Sequence, residues 1–345
     1  MASAQTTASA PAGGGSNPDA EHEAEALKRN GFLIVDNVLP PGVLHDAQTA
    51  FGRVASRFRD DWRRGCELGH GVSENGEYYA AGTFHARRYF DLDVVSLLAE
   101  HDALVELVAA PRLLSVLQAT VGPDVQATTI QARVLPPVGG EVAAVEGGYV
   151  GWHRDHARGP DWKHGGQPLN IKVIFYLTDS AVGGAATYFV PASHQLEGGP
   201  DGSKYLGMGG GPGYDPAGRR QPGEMPGAVP VVAKAGSAAI FDTRAWHSAG
   251  ANIGSGGELD GDGAERWSVI TRYSPFFEKQ PGPTVAAAEQ LLAAGALATP
   301  LRRQIYGLDP MEGRNIFKPL SRHAGTLVDD RMWKGLRPPS LSAAL

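Results

Sequence analysis

The stretch Tyr149-Val-Gly-Trp-His-Arg-Asp155 decides how this chain is read. Its apolar and aromatic residues form a short strand near 149–153, and residues two apart on a strand point to the same side. His153 and Asp155 therefore project together from one strand end. A second histidine in a similar setting, Asp242-Thr-Arg-Ala-Trp-His-Ser248, lies far downstream. His247 can meet the first pair only if another strand returns beside 149–153. The order His-x-Asp, long gap, His thus asks for a closed or sandwiched sheet.

The residues around these two segments supply that sheet. After residue 122, short runs rich in Val, Ile, Thr and aromatics alternate with Gly and Pro clusters. Strands are expected near 125–135, 149–153, 170–177, 186–191, 229–233, 237–241, 246–252 and 266–274. Eight short strands in one region suit a double-sheet jelly roll, the cupin-like double-stranded β-helix. The fold class is then an all-β core with flanking helices. Helical spacing covers Ala20 to Arg29, stopping near Gly31. The next helix opens at Pro41, with Val43, Leu44, Ala47, Phe51, Val54, Phe58 and Trp62 on one face. A further stretch runs from Val94 to Val121, broken near Pro111, and helical character returns at 284–296 and 298–306. The early helices are expected to pack on one outer sheet face.

Residues 1–18 hold almost no bulky apolar groups and are expected to form a disordered tail. Residues 19–325 are expected to form one domain, followed by a C-terminal tail over 326–345. Two Gly-rich inserts stand out, 198–227 with eleven glycines and 254–263. The first fits a lid and a passive insertion equally well; the second fits a passive insertion better.

Composition excludes several classes. A hydrophobic share of 42% in 345 residues suffices for a sizeable core. The net charge of −6 argues against nucleic-acid partners. Cys66 is the only cysteine, which excludes an intrachain disulfide and a Cys-based metal site. No run approaches 18 uninterrupted apolar residues, so no membrane span is expected. The N-terminus lacks a basic-then-apolar leader pattern, and a cytoplasmic location is the expectation.

Two imidazoles and one carboxylate are the ligands that hold Fe(II) on one face and leave the other open; the same set also permits zinc. The surrounding residues narrow the choice. In chain order they are Asn30-Gly-Phe-Leu-Ile-Val-Asp-Asn37, Gln131-Ala-Arg-Val-Leu-Pro-Pro137, Trp152-His-Arg-Asp155, Phe175-Tyr-Leu-Thr-Asp179, Gly184-Ala-Ala-Thr-Tyr-Phe-Val-Pro-Ala-Ser-His194, His247 and Arg266-Trp-Ser268. From about Asn30 to about Gly307 this resembles the phytanoyl-CoA dioxygenase family of 2-oxoglutarate-dependent oxygenases.

The resemblance implies Fe(II) held by His153, Asp155 and His247, with 2-oxoglutarate and O₂ as co-substrates. The products would be succinate, CO₂ and a hydroxylated small or mid-sized molecule. It makes Arg266 the anchor for the far carboxylate of 2-oxoglutarate, because a guanidinium offers a planar fork, with Ser268 as a second donor on the same strand face. The gap of 19 residues from His247 to Arg266 exceeds the family's usual spacing, and the insert at 254–263 accounts for the excess. Arg272, of the same strand parity, is the alternative anchor. Thr187, Gln131 and Tyr176 are expected to line the co-substrate pocket, with Lys172 on the face of Tyr176. An aspartate at 155, where related halogenases carry a small residue, favours hydroxylation. Trp152 and Trp246 are expected to wedge the ligand-bearing strands into the core, and His194 to brace a turn. Arg87, Arg88, Arg154 and Arg158 read as solvated surface or as receivers of an anionic substrate. Two other readings stay open, a jelly-roll binding protein without activity and a cupin-like zinc or manganese enzyme.

Overall fold

The alternation that marks the strands decides which face each residue serves. The structure, a computed structural model, describes residues 18–67, 71–72, 78–79, 89–137, 150–155, 170–196, 223, 225–250, 252–253, 265–276, 278 and 282–308. The tails, most of 198–227 and the insert at 254–263 lie outside the described residues, as do Arg87, Arg88, Arg158 and His156.

The helices are α1 (Pro18–Asn30), α2 (Pro41–Glu67), α3 (Val94–Glu100), α4 (Asp102–Val108), α5 (Pro111–Thr120), α6 (Gly282–Ala293) and α7 (Pro300–Ile305). The strands are β1 (Phe32–Val35), β2 (Gly71–Val72), β3 (Tyr78–Tyr79), β4 (Phe90–Leu92), β5 (Val125–Leu135), β6 (Val150–His153), β7 (Ile171–Tyr176), β8 (Thr187–Phe189), β9 (Val229–Pro230), β10 (Ala238–Asp242), β11 (His247–Ala249) and β12 (Arg266–Pro275). A six-stranded sheet runs β1-β10-β7-β12-β5-β4 and faces a four-stranded sheet, β6-β11-β8-β9; β2 and β3 form a separate ribbon. The strand pairs are antiparallel. This is the jelly roll that the sequence periodicity implies, each of its eight expected strands being present.

On β7, Ile171, Val173 and Phe175 join the core shared with the helices, whereas Ile174 and Tyr176 join the core between the sheets. On β12, Val269 and Tyr273 face the helices and Ile270 faces inward. The helices cover the outer face of the large sheet. Ala20, Ala24 and Leu27 of α1 are buried at helical spacing, as are Ala47, Ala50, Phe51, Val54 and Ala55 of α2. Phe51 stacks on Trp267 at 5.3 Å between ring centroids, and Gln48 donates to the Leu177 carbonyl at 2.7 Å, which fixes α2 across β12 and β7. Gly31 closes α1 with a φ of +80°, its amide donating to the Leu27 carbonyl.

Three features differ from the sequence reading. β4 pairs with β5, although a three-residue strand carries too little alternation to announce itself. The stretch from Val94 is cut at His101 as well as at Pro111, because the His101 imidazole accepts from the Ala103 amide and caps α4. The fifth β-run, expected to reach 233, pairs only over Val229–Pro230, with a single bridge further on between Ala233 and Ser180. The stretch Asp102–Thr120 is apolar and long enough to cross a membrane, but 67% of it is buried in this fold.

Candidate active site

The four-stranded sheet carries two of the three expected ligands as cross-strand partners. His153 on β6 stands opposite His247 on β11, and Phe189 on β8 stands on the other side of His247. Their neighbours Trp152 and Trp246 point the opposite way and are buried with Val190 and Met225. The tryptophans hold the back of the sheet while the histidines face the interior.

Asp155 leaves the strand end two residues later, its amide donating to the Thr243 carbonyl at 3.1 Å. That bond ties it to the turn that delivers His247. Ligating atoms of His153, Asp155 and His247 all lie within 4.8 Å of one another. The Nε2 atoms of His153 and His247 are 3.7 and 3.5 Å from opposite oxygens of Asp155. His247 Nδ1 is 2.9 Å from the Ala245 carbonyl, to which it donates. This fixes the tautomer and leaves Nε2 as a lone-pair donor toward the aspartate. Burial, reinforced by His153, pushes the His247 imidazole down to about 3, so it is held neutral, as a metal ligand must be. Burial opposes ionisation of Asp155, but Lys172 and the two imidazoles outweigh it and hold the carboxyl well below the usual carboxylate range. Two imidazoles and a carboxylate fit a divalent ion.

The expected co-substrate residues gather further along the same interior. Arg266 is 4% exposed, and its guanidinium lies 5.6 Å over the ring of Tyr176. Its Nη1 donates to the Ala185 carbonyl. No carboxylate among the described residues pairs with it, and burial lowers its affinity for a proton. Ser268 is the register partner of Tyr176, and the Tyr176 hydroxyl lies 3.5 Å from Thr187 Oγ1. Arg266 Nε and Ser268 Oγ are buried without a hydrogen-bond partner among the described residues. A buried cation beside a hydroxyl with no partner among the described residues can receive an anion. A carboxylate such as the far one of 2-oxoglutarate has the charge and shape for this place.

Gln131 stands opposite Ile270 on the same inner face, and no hydrogen bond or ion pair joins it to the Arg266 group. Arg272 is engaged elsewhere: its Nη2 is 2.9 Å from Glu278, and its Nε donates to Thr128. Arg154 contradicts the surface reading. It is 2% exposed and donates to the Ser193 and Leu196 carbonyls, closing the 3₁₀ turn Ser193–Gln195. Burial pushes its guanidinium down to about 10. His194 lies in that turn, its Nε2 donating to the Lys28 carbonyl at 2.8 Å. The contact that sequence reasoning missed is Lys172, whose Nζ lies 3.0 Å from Asp155 Oδ2. Shared strand parity with Tyr176 placed it in the interior but could not show its partner.

No curated protein matches the sequence. Among solved structures, HygX from Streptomyces hygroscopicus with nickel and 2-oxoglutarate bound is 14% identical, with 75% of this chain and 88% of that chain covered and a TM-score of 0.49. The epimerase SnoN in complex with Fe3+, alpha ketoglutarate and nogalamycin RO is 19% identical, with 76% and 86% covered and a TM-score of 0.45. AviO1 from Streptomyces viridochromogenes Tue57 is 21% identical, with 77% and 100% covered and a TM-score of 0.45. The assignment rests on sequence, because the profile of the phytanoyl-CoA dioxygenase family matches residues 27–257, a span that holds His153, Asp155 and His247. The chain belongs to the phytanoyl-CoA dioxygenase family, the iron- and 2-oxoglutarate-dependent oxygenases.

Proposed function

We propose that His153, Asp155 and His247 hold the ferrous ion, that Arg266 and Ser268 hold the far carboxylate of 2-oxoglutarate, and that the chain hydroxylates a small or mid-sized organic molecule. One observation carries this reading: three ligating atoms converge within 4.8 Å on the interior that also buries an arginine with no carboxylate partner among the described residues. Iron bound there supplies oxygen activation coupled to the decarboxylation of 2-oxoglutarate to succinate and CO₂.

The chain's own residues do the rest. The Ala245 carbonyl orients His247, and the Thr243 carbonyl anchors Asp155. Arg266 presents a fixed fork, and Tyr176 and Thr187 wall its side of the cavity. Phe189 and Phe241, with ring centroids 5.8 and 4.8 Å from His247, keep water from that flank. Gln131 completes the proposed lining from β5.

The test loads the protein with iron and 2-oxoglutarate without oxygen, adds a metabolite extract, then admits oxygen. Succinate release with a product heavier by about 16 mass units is the expected result, that gain being one inserted oxygen atom. Asp155→Ala abolishes succinate formation. If the wild type forms no succinate while zinc or manganese alone supports turnover, the proposal is wrong.

A further inference from the structure

We infer that Lys172 is the substrate-recognition cation of this site and that the substrate carries an oxyanion, a carboxylate or a phosphate. This rests on the proposed function and narrows its substrate class.

Lys172 belongs to the inner row of the large sheet, between its register partners Phe241 on β10 and Arg272 on β12. Its ammonium lies 3.0 Å from Asp155 Oδ2, at the metal end of the cavity. Its side chain is 20% exposed, so it reaches the interior without being sealed from solvent. The other inner-face arginines have partners of their own: Arg133 is paired with Asp91, and Arg272 with Glu278.

A charge count gives Lys172 its role. A ferrous ion and Arg266 bring three positive charges into the cavity, and Asp155 with the two carboxylates of 2-oxoglutarate brings three negative ones. Counting the described residues, the loaded site is neutral before Lys172 is included. Asp155, the partner of Lys172 without metal, then shares its charge with the ion. Lys172 is left as a surplus cation beside the reacting end, and a partly buried cation is stabilised by an anion it can hydrogen-bond. A compact ammonium suits carboxylate and phosphate oxygens alike as a point charge.

A different role, the orienting of Asp155 for the metal, predicts the opposite sign in one measurement. As a competitor for Asp155 and a like charge near the ion, Lys172 opposes metal binding, so Lys172→Met tightens it. As an orienting group, its loss weakens it. Manganese binding by calorimetry in the presence of 2-oxoglutarate reads this without turnover.

The second arm titrates acetate and inorganic phosphate into the manganese and 2-oxoglutarate complex. Wild type binds one of the two, Lys172→Met binds it about tenfold or more weakly, and Lys172→Arg stays near wild type. Which anion binds separates carboxylate from phosphate substrates. Equal anion affinity in wild type and Lys172→Met, or weaker manganese binding by Lys172→Met, overturns the inference. Absence of any 2-oxoglutarate binding to the wild-type manganese complex overturns the proposed function instead. Thermal melts of both variants confirm that each is folded.

Discussion

Arg266→Met is expected to move two properties in opposite directions. In the absence of ligands, the wild-type guanidinium is buried without a carboxylate among the described residues, and burial already lowers its proton affinity. Methionine fills much of the same volume without a charge, so the ligand-free variant melts no lower than wild type. Removing one member of a buried charge pair costs about 2–5 kcal/mol, or roughly 30-fold to several thousand-fold in 2-oxoglutarate affinity. A ligand at about 100 times its dissociation constant stabilises the native state by about 2.7 kcal/mol. If affinity falls 30-fold or more, the same concentration supplies under about 1 kcal/mol. For a chain of this size each kcal/mol is about 1–2 °C in Tm, so a wild-type shift of about 3–5 °C falls to under about 2 °C. The assay is a thermal melt with manganese, with and without 2-oxoglutarate. A variant that melts lower without ligand yet keeps the full shift would show that Arg266 supports the fold and not the co-substrate. Arg272→Ala keeps the ligand-induced shift, because Arg272 already has Glu278.

Three further outcomes follow from the packing. Gly31→Ala costs about 2–5 kcal/mol, since its φ is +80° and an added Cβ would lie 2.5 Å from His194 Nδ1. In a His194→Ala background only the conformational part, about 1–2 kcal/mol, remains in a denaturant melt. Arg244→Met leaves Asp242 buried without its guanidinium, whose Nη2 lies at 2.6 Å, and is expected to cost about 3–5 kcal/mol by the same measurement. His194 governs part of the acid response. Burial lowers its pKa in the folded state, so below about 6.5 the unfolded chain binds the proton and the folded one does not. Stability therefore falls as pH drops from about 6.5 toward the folded value, by at most about 1.4 kcal/mol per unit for one group. His194→Gln gives a shallower slope of Tm against pH over that window; an unchanged slope would refute the assignment.

The strands were legible because each jelly-roll face is chemically distinct. The odd residues of β7 feed the helix-side core, and Ile174 and Tyr176 feed the other, so alternation survives in the sequence. The same parity places His153, Asp155 and His247 inward and their tryptophan neighbours outward. What sequence could not carry was distance between elements. Lys172 and Asp155 meet only because β7 and the end of β6 face each other across the sandwich. Arg154 looked solvated because nothing local shows that the carbonyls of Ser193 and Leu196 wait for it. The break at His101 was missed because a histidine cap is weaker punctuation than Pro111.

The turn between β10 and β11 makes ligand geometry and sheet spacing a single mechanical coordinate. Only Thr243, Arg244, Ala245 and Trp246 separate the last residue of β10, in one sheet, from His247 in the other, and the Thr243 carbonyl also receives the Asp155 amide. Lengthening this bridge by one residue would move both donors at once. Extra residues after β11, by contrast, leave that bridge untouched. Length variation is thus tolerable on one side of His247 and ruinous on the other, which tells a protein engineer where grafted segments belong.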